Sequence, residues 1–246
     1  MRIAMWSGPR NLSTAMMYSF AARGDCAVWD EPFYAGYLKK TGLAHPMADQ
    51  IILAHENDVE RVAARCLASD RAEKPHFYMK QMAHHMIDGV PLGWANDCVN
   101  VFLIRHPARV IASYAAKREN PTLEDIGFAQ QQTLFQQLGG VVIDSHDIRA
   151  NPSVMLQMLC SEIGLQWTPD MLHWPAGGHA DDGIWGAHWY GAVHQSTGFA
   201  GGEGAMPELT GEYAELEQQA LPYYNNLAKV KLGRVISNDD PAPPAA

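Results

Sequence analysis

The chain has 246 residues, 47% of them hydrophobic, and a formal net charge of −9 at pH 7. This length permits one large domain or two small ones, and the acidic balance disfavours nucleic acid as a general partner. Because no apolar run reaches the roughly 20 residues of a membrane helix and the first residues lack a signal-peptide core, we expect no membrane association and a cytoplasmic location.

The first predicted element is a buried strand over Ile3–Trp6, followed by a polar turn and a helical pattern that runs to Phe20. A helix start presents unpaired N–H groups and a partial positive charge, so this strand-to-helix junction suits a phosphate or sulfate. The turn also supplies an arginine and several hydroxyl groups. The candidate anion-binding residues of this first junction are Ser7, Gly8, Pro9, Arg10, Asn11, Leu12, Ser13 and Thr14.

Two further strands are predicted over Cys26–Trp29 and Phe77–Met82, with polar side chains close to the end of each. Ligands of open α/β sheets bind beyond the carboxyl ends of the strands, so these side chains are predicted to face the ligand. Asp30 and Glu31 follow the second strand, Lys80 lies within the third, and His84 and His85 follow the third.

A second strand-to-helix junction follows the fourth predicted strand, Val99–Ile104. Arg105 stands at the end of this strand, and Ser113 lies about two helical turns further along, on the face that returns to the first turn. Two anion-binding junctions in one sheet predict a ligand with two separated anionic ends.

The fifth predicted strand is Val141–Ile143, and all five strands read as continuous apolar runs. Such runs are typical of a parallel sheet that is covered on both faces, and strands alternating with helices imply βαβ units. We therefore predict an α/β fold with a five-stranded parallel sheet and helices on both faces.

Helix starts are predicted at Asn57 with Glu60, at Thr122 with Asp125 and at Asn151 with Pro152. Gly164 fits the end of the helix that begins at Asn151.

The C-terminal third has a different composition. Trp167–Gly204 is rich in Gly, Trp, His and Pro with little periodicity, which predicts a long structured loop over the sheet. One or two helices follow, with a break or kink at Pro222. We predict a single domain over residues 1–238 and a disordered tail over 239–246, which reads DDPAPPAA.

The first junction differs from the phosphate loop of nucleoside triphosphatases. It lacks the GK pair of that motif, and the fourth strand ends in Arg105 where an Asp would hold magnesium. We therefore predict an anion site that needs no divalent metal. A metal-dependent nucleotide kinase or triphosphatase, or a nucleotide-binding protein without catalysis, are the alternative functions.

These residues resemble the P-loop-like sulfotransferases, in particular a bacterial branch of that family. The stretch from Arg10 to Thr14 is similar to the motif that binds the 5′-phosphosulfate of 3′-phosphoadenosine-5′-phosphosulfate (PAPS). Arg105 and Ser113 match the arginine and serine that bind its 3′-phosphate, and Val141–Leu165 continues the similarity. The resemblance implies a three-layer P-loop-like fold with a C-terminal cap, PAPS as co-substrate, no metal, and a small-molecule acceptor.

The resemblance also implies roles in sulfuryl transfer to a hydroxyl or amine. Arg10 would hold the oxygens around the transferred group, and Glu31 is the best candidate for the general base. His84 and His85 are the rival bases, and Lys80 or one of these histidines would stabilise the leaving group.

The chain departs from the family pattern at two places. Leu12 stands where the family has glycine, which predicts a loop that approaches the phosphate less closely. The late Gly- and Lys-rich loop that contacts the 3′-phosphate in cytosolic members has no clear match, and residues 183–199 are the candidate substitute.

Overall fold

The computed structural model describes residues 1–68, 74–116 and 120–233. Its five strands form one all-parallel sheet in the order β2-β3-β1-β4-β5. Each strand lies where an apolar run predicted it, so the predicted fold class is confirmed. The strands are β1 Arg2–Ser7, β2 Cys26–Asp30, β3 His76–Met82, β4 Val99–Ile104 and β5 Val141–Asp144.

Helices cover the sheet on both faces, as the continuous apolar strands predicted. Alternate residues of β1 enter two different cores: Ile3 and Met5 pack on one face, and Ala4 and Trp6 pack on the other. The described residues form the α-helices α1 Ser13–Ala22, α2 Tyr34–Thr41, α3 Ala48–Ala54, α4 Val59–Leu67, α5 Pro107–Ala115, α6 Leu123–Ile126, α7 Phe128–Leu138, α8 Ser145–Ala150, α9 Pro152–Glu162, α10 Gly186–Trp189, α11 Gly191–His194 and α12 Glu212–Ala228, and three short 3-10 turns at Ala83–His85, Gly93–Asp97 and Pro169–Leu172.

Side-chain caps start several of these helices. Thr122 and Asp125 form the predicted reciprocal capping box, and the Asn151 side chain accepts a hydrogen bond from the N–H of Val154. The predicted cap at Asn57 is wrong, because the neighbouring Asp58 accepts the first-turn N–H groups of α4. The Asn57 amide instead donates to the carbonyl of Ile52.

The C-terminal third contains more regular structure than its composition predicted. The short helices α10 and α11 interrupt the segment that was predicted as one long loop. Helix α12 continues through Pro222 as a single helix, so the predicted break is not found there. The predicted tail at 239–246 lies outside the described residues, and the single domain over 1–238 stays a prediction.

Three further observations concern the cysteines, membrane spans and metal sites of the described residues. All four cysteines are free. Within the described ranges, no helix combines the length and the apolar character needed to cross a membrane. No group of three or more His, Cys, Asp or Glu side chains in those ranges is arranged to hold a metal ion.

The loop after β1 is held tightly against its neighbours at the carboxyl edge of the sheet. The buried Gln131 side chain donates to the carbonyls of Trp6 and Leu103, at 3.2 and 2.8 Å, and so ties the ends of β1 and β4 together. Gly8 leaves no room for a side chain, because a Cβ there would lie 2.6 Å from the carbonyl oxygen of Ile126. These contacts fix the place where the loop carries its polar residues.

Candidate functional site

A cavity of about 240 Å³ opens at the carboxyl edge of the sheet, between the two predicted junctions. It brings together most of the residues that the sequence singled out. Ser7, Gly8 and Asp30 do not line it. The Ser7 hydroxyl contacts the sulfur of Met82, and Asp30 is buried against Lys80 and Tyr190. The predicted site residues that line the cavity are Pro9, Arg10, Asn11, Leu12, Ser13, Thr14, Glu31, Lys80, His84, His85, Arg105 and Ser113.

The first junction has an unusual backbone. Arg10 and Leu12 have φ angles of 62° and 72°, in the left-handed region that favours glycine. Leu12 therefore adopts the glycine-like conformation although it is not a glycine, at a cost of about 1–2 kcal/mol. It precedes α1 without a side-chain cap, so the first N–H groups of α1 keep their hydrogen-bonding capacity for an anion.

The two predicted anion-binding arginines are neighbours. The Arg10 Nε donates to the Ser113 hydroxyl at 2.9 Å, and the Arg105 Nη1 donates to the Arg10 carbonyl at 2.7 Å. Burial, and then the charge of Arg105, lower the pKa of the Arg10 guanidinium below its ordinary value. The charge of an anion bound between the two arginines would offset both effects, so the arrangement favours a negatively charged ligand.

A carboxylate that the sequence reasoning missed lies against Arg105. The Glu203 side chain is fully buried and pairs with Arg105 at 2.6 Å, with Arg109 at 3.1 Å and with Arg149 at 3.4 Å. His146 Nδ1 lies 3.4 Å from the same carboxylate. One carboxylate thus faces three guanidinium groups, which leaves an excess of positive charge beside the cavity.

On the opposite wall, the predicted base belongs to a buried network of charges. The Lys80 ammonium donates to Asp30 at 2.9 Å, to Glu31 at 2.6 Å and to the hydroxyl of Tyr190 at 2.5 Å. An ammonium has three protons, so these acceptors use all of them. Burial raises the pKa of Glu31 above its ordinary value, against the opposing effect of Lys80.

The geometry of Lys80 bears on one of the predicted roles. A lysine whose three protons are all directed at protein acceptors has none left for a leaving group. Burial alone lowers the pKa of Lys80, but Asp30 and Glu31 outweigh it and hold the ammonium charged. The structure therefore favours Lys80 as the partner of the two carboxylates, whereas its predicted contact with the leaving group requires a rearrangement.

The rival bases line the same cavity as Glu31, in an aromatic environment. His85 stacks on Tyr34 with ring centroids 4.8 Å apart, and the His84 ring lies 4.4 Å from His85. Burial and the neighbouring His84 push the pKa of His85 well below its ordinary value. The same burial that weakens His85 as a base strengthens Glu31.

Several residues at the cavity were not themselves predicted as site residues. Trp189 and Tyr190 come from the aromatic segment within 183–199, which the sequence offered as a substitute phosphate loop. The segment that contacts Arg105 is instead the glycine-rich stretch around Glu203. The adjacent Trp-Tyr pair was the sequence signal that could have identified Trp189 and Tyr190. Glu203 had no such signal, because its partners are far away in the sequence.

Comparisons with known proteins agree with this fold. The sulfotransferase domain of the Synechococcus PCC 7002 olefin synthase superposes with a TM-score of 0.54 at 16% sequence identity, over 93% of this chain and 94% of that domain. Branched-chain-amino-acid aminotransferase-like proteins 1 and 2 of Arabidopsis thaliana are 32% and 31% identical over 230 residues. These residues are 92% of this chain, and the chain spans about two-fifths (41%) of the length of either relative.

The match to a family model extends over nearly all of the described structure. The model is that of the sulfotransferase domain, and it matches residues 1–231, which include all five strands, both junctions and the cavity between them. The chain belongs to the sulfotransferase domain family.

Proposed function

We propose that this protein transfers a sulfuryl group from PAPS to a hydroxyl or amine of a small acceptor. The observation that carries the proposal is the meeting of Arg10, Arg105 and Glu31 around one cavity. The two arginines come from the two junctions predicted to hold opposite ends of a doubly anionic ligand. The glutamate lines the same cavity, where a base for the acceptor is needed.

The proposed donor site uses both junctions. The 5′-phosphosulfate would lie at the start of α1, where Arg10, Ser13 and Thr14 supply donors beside the uncapped N–H groups. The 3′-phosphate would lie at Arg105 and Ser113. Ser113 is already within hydrogen-bonding distance of Arg10, so one ligand is able to contact both arginines.

The proposed reaction requires one bond to form, one to break and one proton to move. The acceptor oxygen or nitrogen attacks the sulfur, and the bond between sulfur and the phosphate oxygen breaks with its electron pair on that oxygen. Adenosine 3′,5′-bisphosphate is the second product. Glu31 takes the acceptor's proton, and its raised pKa makes it a stronger base than an exposed glutamate.

Charge that develops on the leaving phosphate needs nearby donors. Arg10 and the start of α1 are suited to this, because they face the cavity and a preorganised donor needs little rearrangement. The three protons of Lys80 are instead directed at Asp30, Glu31 and the Tyr190 hydroxyl. The proposal therefore assigns the donor end to the two junctions and the acceptor end to the network around Glu31.

Calorimetry with adenosine 3′,5′-bisphosphate tests the donor assignment. The unmodified protein is expected to bind this nucleotide in the presence of EDTA, and Arg105→Ala is expected to weaken binding by about 10- to 150-fold, since a hydrogen bond to a charged group contributes roughly 1.5–3 kcal/mol. Arg61→Ala is the matched control, because the Arg61 side chain is 74% exposed and remote from the cavity.

Transfer of radiolabelled sulfate from PAPS to a panel of small alcohols, phenols and amines tests the reaction itself. Transfer that disappears in Glu31→Gln supports the assignment of the base. Binding of ATP that requires magnesium, with no binding of the bisphosphate, would instead support a nucleotide kinase or triphosphatase. Bisphosphate binding without transfer to any acceptor would support a nucleotide-binding protein that lacks catalysis.

A further inference from the structure

The hydroxyl of Tyr190 lies at the centre of the buried network that holds the proposed base. It is within 3.1 Å of Glu31 Oε1 and within 2.9 and 3.0 Å of the two oxygens of Asp30. Lys80 Nζ and the indole Nε1 of Trp185 are its other neighbours, at 2.5 and 2.8 Å. This residue comes from the turn between α10 and α11, far along the chain from the strands that carry its partners.

The proton inventory of the network limits what Tyr190 is able to do. Lys80 and Trp185 have only protons to offer, so the phenol oxygen accepts from both of them. Its own single proton must then go to a carboxylate. Asp30 and Glu31 both lie within reach, so the Tyr190 hydroxyl is shared between the two.

The Asp30 carboxylate accepts hydrogen bonds from more donors than the Glu31 carboxylate does. The Asp30 carboxylate also accepts from Lys80 and from the backbone N–H of Gly183. The described hydrogen bonds of the Glu31 side chain all end on Oε1 and come from Lys80 and Tyr190. The loss of the Tyr190 donor therefore affects Glu31 more strongly than Asp30.

We propose that Tyr190 is a positioning residue for the reaction: its hydroxyl orients the Glu31 carboxylate and keeps it ionised until the acceptor's proton arrives. This proposal rests on the proposed function, in which Glu31 is the base. When Glu31 takes the proton, the Tyr190 hydroxyl turns to Asp30, which lies at the same distance to within about 0.2 Å. Tyr190 remains protonated throughout, so the only proton transferred is the one that passes from the acceptor to Glu31.

The charged and titratable groups around Glu31 define the sign of the expected effect. Asp30 faces it from β2, Lys80 from β3, Tyr190 from the α10–α11 turn and Tyr34 from α2. Burial raises the pKa of Glu31, and Asp30 adds to this, whereas Lys80 and the Tyr190 hydrogen bond oppose it. Removal of the Tyr190 hydroxyl is therefore expected to raise the pKa of Glu31 further.

Carbon-13 NMR of glutamate-labelled protein measures this ionisation directly, without any need for activity. The Glu31 carboxyl signal is identified as the one that Glu31→Gln removes. In Tyr190→Phe its titration midpoint is expected to rise by about 0.5–1 pH unit, the equivalent of one hydrogen bond of roughly 1 kcal/mol. Tyr34→Phe is the matched control: it removes a phenol from the same cavity whose hydroxyl bonds to His45, and the Glu31 midpoint is expected to stay in place.

Kinetics give a second readout. The acidic limb of the turnover profile is expected to move to higher pH in Tyr190→Phe by the same amount, with KM for PAPS unchanged. If Tyr190→Phe does not fold, 3-fluorotyrosine introduced at position 190 keeps the hydroxyl and makes it a stronger donor, which is expected to move the Glu31 midpoint to lower pH. A Glu31 midpoint that stays fixed in Tyr190→Phe, or in the 3-fluorotyrosine protein where Tyr190→Phe does not fold, overturns the proposal. A midpoint that shifts in a protein without any sulfate transfer supports the role of Tyr190 in ionisation and refutes the proposed function alone.

Discussion

Replacement of Glu203 by glutamine is expected to change stability and nucleotide affinity in opposite directions: the fold becomes less stable, and the donor site binds its ligand more tightly. Glu203 occupies two of the donor groups of Arg105, Nε at 2.8 Å and Nη2 at 2.6 Å, and the third contact of Arg105 goes to the Arg10 carbonyl. A phosphate that binds at Arg105 must therefore replace part of its contact with Glu203. Arg109 and Arg149 are able to keep the carboxylate when Arg105 releases it.

The structure sets the size and the sign of both effects. Loss of the negative charge removes the competitor for Arg105, so adenosine 3′,5′-bisphosphate is expected to bind about tenfold more tightly, near the low end of a charged hydrogen bond. The free energy of unfolding is expected to fall by about 2–3 kcal/mol, less than the 3–5 kcal/mol typical of a broken buried pair. The reduction reflects the partial solvent access of Arg149, whose side chain is 21% exposed.

The stability effect also has a defined pH dependence. Burial alone raises the pKa of Glu203, but the three arginines outweigh it and hold the pKa below its ordinary value. The charged carboxylate thus stabilises the fold fully above the unfolded-state pKa of about 4.3, and this contribution is lost as the pH falls through the folded-state value. The difference between Glu203→Gln and the unmodified protein is expected to be full at pH 7 and to shrink below about pH 4.

Calorimetry and urea denaturation measure the two quantities on the same samples. Glu60→Gln is a suitable control, because Glu60 is an exposed residue of α4. Weaker bisphosphate binding in Glu203→Gln than in the control would refute the competition argument, since it would show that Glu203 holds Arg105 in place for the phosphate.

Three further predictions follow from the site and its loop. Glu31→Gln is expected to lower turnover by about 10²- to 10⁴-fold while calorimetry finds the bisphosphate affinity unchanged, because the proposed base would contact the acceptor and not the nucleotide; undiminished turnover would move the role to His84 or His85. The turnover of the unmodified protein is expected to rise with pH through a limb above pH 4.5, since burial raises the pKa of Glu31; a limb below that value would contradict its role as base. Gly8→Ala is expected to lower the free energy of unfolding by about 1–3 kcal/mol in denaturant titrations, because its Cβ meets the Ile126 carbonyl, and an unchanged midpoint would show that the loop yields there.

The strands were predictable because each is buried on both faces. A continuous apolar run such as Val99–Ile104 is the direct consequence of helices that cover a parallel sheet, and its bounds are the same in the structure. The N-cap residue of a helix was harder to predict where two suitable residues are adjacent. Asn57 and Asp58 both have side-chain oxygens that suit a helix start, and only the path of the chain decides that Asp58 precedes α4.

The site was predictable where it is local in sequence and not where it depends on distant loops. Arg10 and Arg105 each follow a strand within a few residues, so the pattern of each junction identified them. Glu203 lies 98 residues from Arg105, and Tyr190 lies 160 residues from Asp30. No periodicity or motif reports contacts of that separation, because the loops that make them follow tertiary packing.

Backbone strain offers an independent argument for where this site lies. Five non-glycine residues of the described structure have positive φ angles, and three of them, Arg10, Leu12 and Glu31, with angles between 38° and 72°, belong to this site. Each such residue costs about 1–3 kcal/mol, and the cost persists only where the surrounding packing holds the backbone in place. All three line the cavity, directly beyond the buried strands β1 and β2. The rigid sheet thus keeps two strained turns that aim the anion-binding loop and the proposed base at one space, which is the arrangement that a transfer reaction between two substrates requires.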